Sequence, residues 1–222
     1  MKSKIEIACF NVDSALIAQN NGADRVELCD QMSVGGTTPN IDDIIKVSGF
    51  LEIDLNIMIR PRGGDFIYTD QEFDQMKQDI LRIKQLKVDG FVFGILDQNN
   101  KVDVIRNKQL VDLAHPLVCT FHRAFDVVEN FNESLEDVIA CGFSTILTSA
   151  GKQNVVQGKQ ILKELVERAN DRICIMPGGG LRSNNLAEIS QYTGAKYYHS
   201  SAITNDTQLA SAAEVQALKA VL

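Results

Sequence analysis

Short apolar runs alternate with segments of helical period along the whole chain. The runs predict strands at 5–9, 25–28, 55–59, 90–93, 117–120, 145–148, 173–176 and 196–200. Between them, apolar residues at helical spacing predict helices near 13–21, 40–49, 70–86, 105–115, 132–141, 155–169, 184–192 and 208–221. Local signals mark several ends. Thr69 and Glu72 have capping-box spacing, Thr38-Pro39 reads as a cap followed by a proline, and Pro116 separates a helix from the next strand. A weak repeat runs through the chain: 21–27, 141–147 and 193–199 each place a glycine where a helix should end, then a short turn and a strand.

Repeated strand–helix units imply a parallel sheet covered by helices. Eight of them in residues 1–222 favour a single (β/α)8 barrel, a TIM barrel of compact size. The alternative is an open doubly wound sheet. It would carry Gly-x-Gly-x-x-Gly after the first strand, where Cys9-Phe10-Asn11-Val12-Asp13 stands instead. In a barrel, alternation turns every second strand residue inward. Ile5, Ile7, Val26 and Leu28 then face the helices. Glu6, Ala8, Arg25, Glu27, Cys29, Asn56, Met58, Arg60, Val118, Thr120 and His122 face the interior, and strand six adds Ile146 and Thr148. Buried charge must be paired, so Glu6 and Glu27 should meet Arg25, Arg60 or His122.

Composition narrows the function. The chain has 222 residues, 45% of them hydrophobic and 23% charged, as in ordinary globular proteins. Its formal charge of −7 speaks against a non-specific hold on nucleic acid. No apolar run reaches the roughly 18–20 residues that span a bilayer. The opening Met1-Lys2-Ser3-Lys4 leads into a strand without the apolar stretch of a secretion signal, so a cytoplasmic location is expected. The five cysteines, Cys9, Cys29, Cys119, Cys141 and Cys174, are odd in number and widely spaced, which argues against a disulfide framework or a structural zinc site. A barrel this short should leave apolar helix faces for a homodimer or higher homo-oligomer to cover.

Candidate chemistry gathers at strand ends, the rim where barrels keep their sites. Strand three runs into Arg60-Pro61-Arg62-Gly63-Gly64, two cations on a permissive backbone that suits an oxygen anion. Strand five ends in His122-Arg123-Ala124-Phe125-Asp126, where His122 could move a proton with Glu27 or Asp126 orienting it. Strand seven ends in Pro177-Gly178-Gly179-Gly180, whose bare amides ahead of a helix suit a phosphate or carboxylate. Thr148, Ser149, Arg123 and His199 could add donors. Glu27, His122 and Asp126 are thus catalytic candidates, and Arg60, Arg62, Arg123, Thr148, Ser149, Gly178, Gly179, Gly180 and His199 are candidates for holding a small anionic molecule. Cys29, Met58 and His122 could also converge as soft ligands for Cu(I).

At these residues the chain resembles a known family. Ile57 through Phe66, Gly90-Phe91-Val92-Phe93-Gly94, Thr120 through Asp126, Ile146-Leu147-Thr148-Ser149 and Ile175 through Gly180 are similar to the signatures of the CutC family, in order over nearly the full chain. The resemblance implies a cytoplasmic (β/α)8 barrel, often oligomeric, with a role in copper homeostasis and Cu(I) as its ligand. Family proposals for copper ligation involve cysteines, and Cys29 is the position that carries over. Two functions stay open: a copper-binding protein, and an enzyme of lyase or isomerase type using acid–base chemistry on a small phosphorylated or carboxylated metabolite.

Overall fold

The apolar runs form eight strands: β1 (Lys4–Cys9), β2 (Arg25–Leu28), β3 (Asp54–Met58), β4 (Gly90–Phe93), β5 (Val118–Phe121), β6 (Thr145–Thr148), β7 (Cys174–Pro177) and β8 (Tyr197–Ser200). Each is followed by a helix: α1 (Val12–Asn20), α2 (Ile41–Phe50), α3 (Asp70–Ile83), α4 (Val104–Ala114), α5 (Phe131–Cys141), α6 (Val155–Ala169), α7 (Ser183–Thr193) and α8 (Ala212–Val221). The computed structural model describes residues 3–222; Met1 and Lys2, from the segment expected to lead into the first strand, lie outside the described residues.

All strand pairs are parallel, in the order β7-β6-β5-β4-β3-β2-β1-β8. A parallel bridge between Gly178 and His199 joins β7 to β8 and closes the ring. This is the expected (β/α)8 barrel. Ile5, Ile7, Val26, Leu28, Ile57, Phe91, Phe121 and Ile146 point outward into one apolar layer shared with the helices. Burying that layer supplies the main drive for folding, at roughly 25 cal/mol per Å² of apolar surface.

Local chemistry sets the helix ends. Thr69 and Glu72 form the expected capping box, each satisfying the other's backbone amide at α3. The glycine of each repeat closes a helix or the turn after it: Gly142 and Gly194 are the caps of α5 and α7, and Gly22 follows α1, all at positive φ. Two expectations need correction. The α2 cap is Asn40, whose side chain accepts from the Asp43 amide; Thr38 instead accepts from the Arg60 amide. On β6 the inward residue is Leu147, not Ile146 or Thr148. The β5–β6 register pairs inward Thr120 with Thr145, so the neighbours of Leu147 on its strand turn away.

Candidate functional site

Barrel closure sets three charged residues side by side. The register places Glu6 opposite Arg25 on one side and His199 on the other, with Ala8 opposite Glu27 one layer up. Arg25 Nε donates to Glu6 at 2.5 Å, and the Glu6 carboxylate meets His199 Nδ1 at 2.7 Å. His199 Nε2 lies 3.6 Å from Glu27 Oε2. Burial opposes charge on Glu6, but Arg25 and then His199 hold its carboxyl down at about 2. Burial also opposes charge on His199, yet the bond to Glu6 and the charges of Glu27 and Glu6 raise its pKa. Glu27 has only the longer contact to His199, and burial pushes it up to about 7, with His199 pulling the other way. Its Oε1 has no hydrogen-bond partner. The sequence leads us to expect Glu6 and Glu27 to meet Arg25, Arg60 or His122; Glu6 does meet Arg25, but Glu27 meets none of the three. The partner of both glutamates is His199, from the far end of the chain. Glu6, Glu27 and His199 are also the one group of acidic, histidine or cysteine side chains among the described residues arranged to hold a metal ion.

Above this cluster lies a cavity of about 370 Å³ at the C-terminal rim. Glu27, Cys29, Arg60, His122, Arg123, Asp126 and His199 all line it, between apolar walls that include Phe10, Met58, Phe66 and Leu147. Seven of the thirteen sequence candidates therefore share one space. The others lie outside its lining, and the structure gives each a partner within the chain.

His122 sits in a slot opened by Gly94, where any side-chain carbon would fall 2.8 Å from the ring nitrogen Nδ1. Nδ1 accepts from the Ala124 amide, which puts the imidazole proton on Nε2. Burial, helped by the charge of Arg60, drops the pKa to about 3, so the ring is neutral at ordinary pH. Neither Glu27 nor Asp126 is bonded to it. Nε2–H has no partner. Phe66 packs beside the ring at 4.9 Å between centroids and lies under the Arg60 guanidinium at 4.8 Å.

Arg60 donates to the carbonyls of Val34, Gly36 and Gly64 and so fixes the loops after β2 and β3. No carboxylate lies within salt-bridge distance of it among the described residues. Arg62 points away, onto Glu72, Asp65 and the Ile67 carbonyl.

The expected anion cradles hold the chain's own carboxylates. Asp126 Oδ1 accepts from Thr148 Oγ1 at 2.5 Å, Ser149 N at 2.9 Å and Gly151 N at 3.0 Å; Oδ2 accepts from Arg123 Nε at 2.7 Å and Ser149 Oγ at 3.2 Å. At the start of α7, Glu214 reaches over from α8 and accepts from Ser183 N and Oγ. Gly178 forms the closing bridge, the Gly179 carbonyl accepts from Val155 N, and the Gly180 carbonyl accepts from the Asn185 side chain. Glu214 was missed because a carboxylate in the first turn of a final helix reads as an ordinary favourable charge.

Cys29 and Met58 belong to one small cluster with Val92 and Phe10. Both converge on Gly36: a carbon built there would lie 3.5 Å from Cys29 Sγ and 3.4 Å from Met58 Cε. Burial, then the Glu27 charge, pushes the Cys29 thiol well above its ordinary range. All five cysteines are free. No helix among the described residues is long and apolar enough to cross a membrane.

Comparison with known proteins agrees with this barrel. Residues 3–204 match the model of the CutC family. A family protein CutC from Parabacteroides distasonis is 45% identical over 91% of this chain and 84% of its own. The human copper homeostasis protein cutC homolog is 41% identical over 89% of this chain and 72% of its own. The crystal structure of a CutC protein from Streptococcus agalactiae superposes with a TM-score of 0.87 at 38% identity, covering 91% of this chain and all of that one.

Proposed function

We propose, because this chain belongs to the CutC family, that it serves copper homeostasis by taking up Cu(I) as cargo at the mouth of its barrel, with Cys29 as a ligand. The observation that carries the reading is that Cys29 and Met58 pack in one small cluster and both line the cavity. Thiolate and thioether are the soft donors that suit Cu(I), and Val92 and Phe10 give them apolar surroundings. The raised thiol pKa means that the free protein keeps the Cys29 proton and Cu(I) replaces it. Copper binding then releases a proton and tightens as pH rises. A reducing cytoplasmic setting keeps both the thiol and Cu(I) in the required state.

Glu27 and His199 line the same cavity as the sulfur donors, and with Glu6 they offer carboxylate and imidazole groups spaced to hold a metal ion. His199 already donates Nδ1–H to Glu6, the arrangement that leaves Nε2 as the ligating atom. Arg25 and Glu6 form the supporting layer beneath. The enzymatic alternative on a phosphorylated metabolite has less support, because Asp126 and Glu214 already occupy the amides and hydroxyls that would hold a phosphate.

Competition with a chromophoric Cu(I) chelator under reducing conditions tests the reading. Cys29→Ser should weaken Cu(I) binding by more than about tenfold, the loss expected for removing a metal ligand. Unchanged affinity removes Cys29 from the site.

A further inference from the structure

Three buried polar groups in the cavity have unmet bonding capacity, and two of them, the His122 N–H and the Arg60 guanidinium, are donors that a copper ion cannot use. His122 is 3% exposed and presents Nε2–H with no acceptor. Arg60 is 4% exposed with no carboxylate within salt-bridge distance among the described residues, and its Nε–H is unpartnered. Glu27 is 2% exposed and has Oε1 free. Leaving such groups unpaired costs roughly 1–3 kcal/mol each, so their retention in one cavity points to a ligand that satisfies them.

The arrangement selects the ligand's chemistry. An oxygen anion suits the His122 N–H inside the field of Arg60, with Phe66 as an apolar floor under both. The amide and hydroxyl nests that would suit a phosphate hold Asp126 and Glu214 instead. A planar carboxylate needs fewer donors and fits what remains. The free oxygen of Glu27 calls for a donor on the same molecule, such as a hydroxyl. The cavity, at about 370 Å³, limits the ligand to a small molecule.

We infer that the cavity binds a small hydroxycarboxylate, its carboxylate on His122 Nε2–H beside Arg60 and its hydroxyl on Glu27 Oε1. The ligand needs neither Cys29 nor copper, so this inference stands or falls apart from the copper reading.

The experiment uses the full chain held copper-free by a Cu(I) chelator and the probes L-lactate, glycolate, glycerol and inorganic phosphate, followed by ligand-observed NMR. Lactate or glycolate should bind at least about tenfold more tightly than glycerol, which lacks the anion, or phosphate, whose three or four oxygens outnumber the free donors of the cavity. His122→Leu should lose about tenfold or more of that affinity. In wild-type protein labelled with ¹⁵N-histidine, saturating lactate should shift the His122 Nε2 resonance, a readout that stands if the variant fails to fold. Equal binding of phosphate or glycerol, an unmoved His122 resonance, or no saturation by any hydroxycarboxylate up to about 10 mM would each overturn the inference.

Discussion

Replacing Glu27 with glutamine should change how stability depends on pH, and the size of the effect follows from its burial. Its carboxyl has an ordinary value of 4.5 and is pushed to about 7 in the fold, chiefly by burial. Between those values the folded protein keeps a proton that the unfolded chain has lost. Stability therefore falls as pH rises through that window and levels off above it. The gap corresponds to about 3 kcal/mol at roughly 1.4 kcal/mol per pKa unit. His199 acts in the same direction: its raised pKa gives stability that is present below 6.5 and lost as pH rises beyond it. Removing the Glu27 charge also brings His199 back toward its ordinary value. His122 has the opposite sign. Its ordinary 6.5 drops to about 3, so its stability is lost as pH falls below 6.5. His122 drops out of the difference between wild type and Glu27→Gln, and the change at His199 adds to that of Glu27 with the same sign. Urea unfolding followed by circular dichroism in copper-free buffer should show the variant gaining on wild type by up to about 3 kcal/mol from about pH 5 to about pH 8. A difference that is flat over that range, or that falls, would refute the assignment of Glu27 as a buried, poorly partnered carboxyl.

Other outcomes follow from the same geometry. Histidine NMR should find His122 neutral, with its proton on Nε2, down to about pH 4, while His199 stays protonated above its ordinary 6.5. A His122 ring that titrates near 6.5 would mean the slot is solvated. Asp126→Asn replaces a charged acceptor of five hydrogen bonds with an amide whose nitrogen cannot accept, and it should cost about 3 kcal/mol in urea unfolding. A loss below about 0.5 kcal/mol would show that the nest is not the structural anchor described above.

Much of the barrel was legible because its signals are local. Apolar runs, helix-ending glycines and the Thr69–Glu72 box all act within a few residues, and each appears where it was expected. Strand alternation also foretold a polar interior containing Glu6, Arg25, Glu27 and His122. It failed on β6 because four residues of mixed character do not fix their own parity; the register with β5 does, and that is a tertiary fact. His199 as the shared partner of Glu6 and Glu27 was hidden for a similar reason, since only closing β8 onto β1 brings residues 193 positions apart into contact. The arginine and glycine strand ends were read as places for an outside anion. Asp126 and Glu214 supply two such anions from within the chain. Arg60, which faces the cavity, has no carboxylate within salt-bridge distance among the described residues.

X-ray absorption on the protein loaded with one equivalent of Cu(I) under reducing conditions tests the central claim most directly. The account predicts sulfur in the first coordination shell and a fall in sulfur scattering in Cys29→Ser, with a further fall when Met58→Leu is added. A shell of nitrogen and oxygen alone, unchanged by Cys29→Ser, would contradict it.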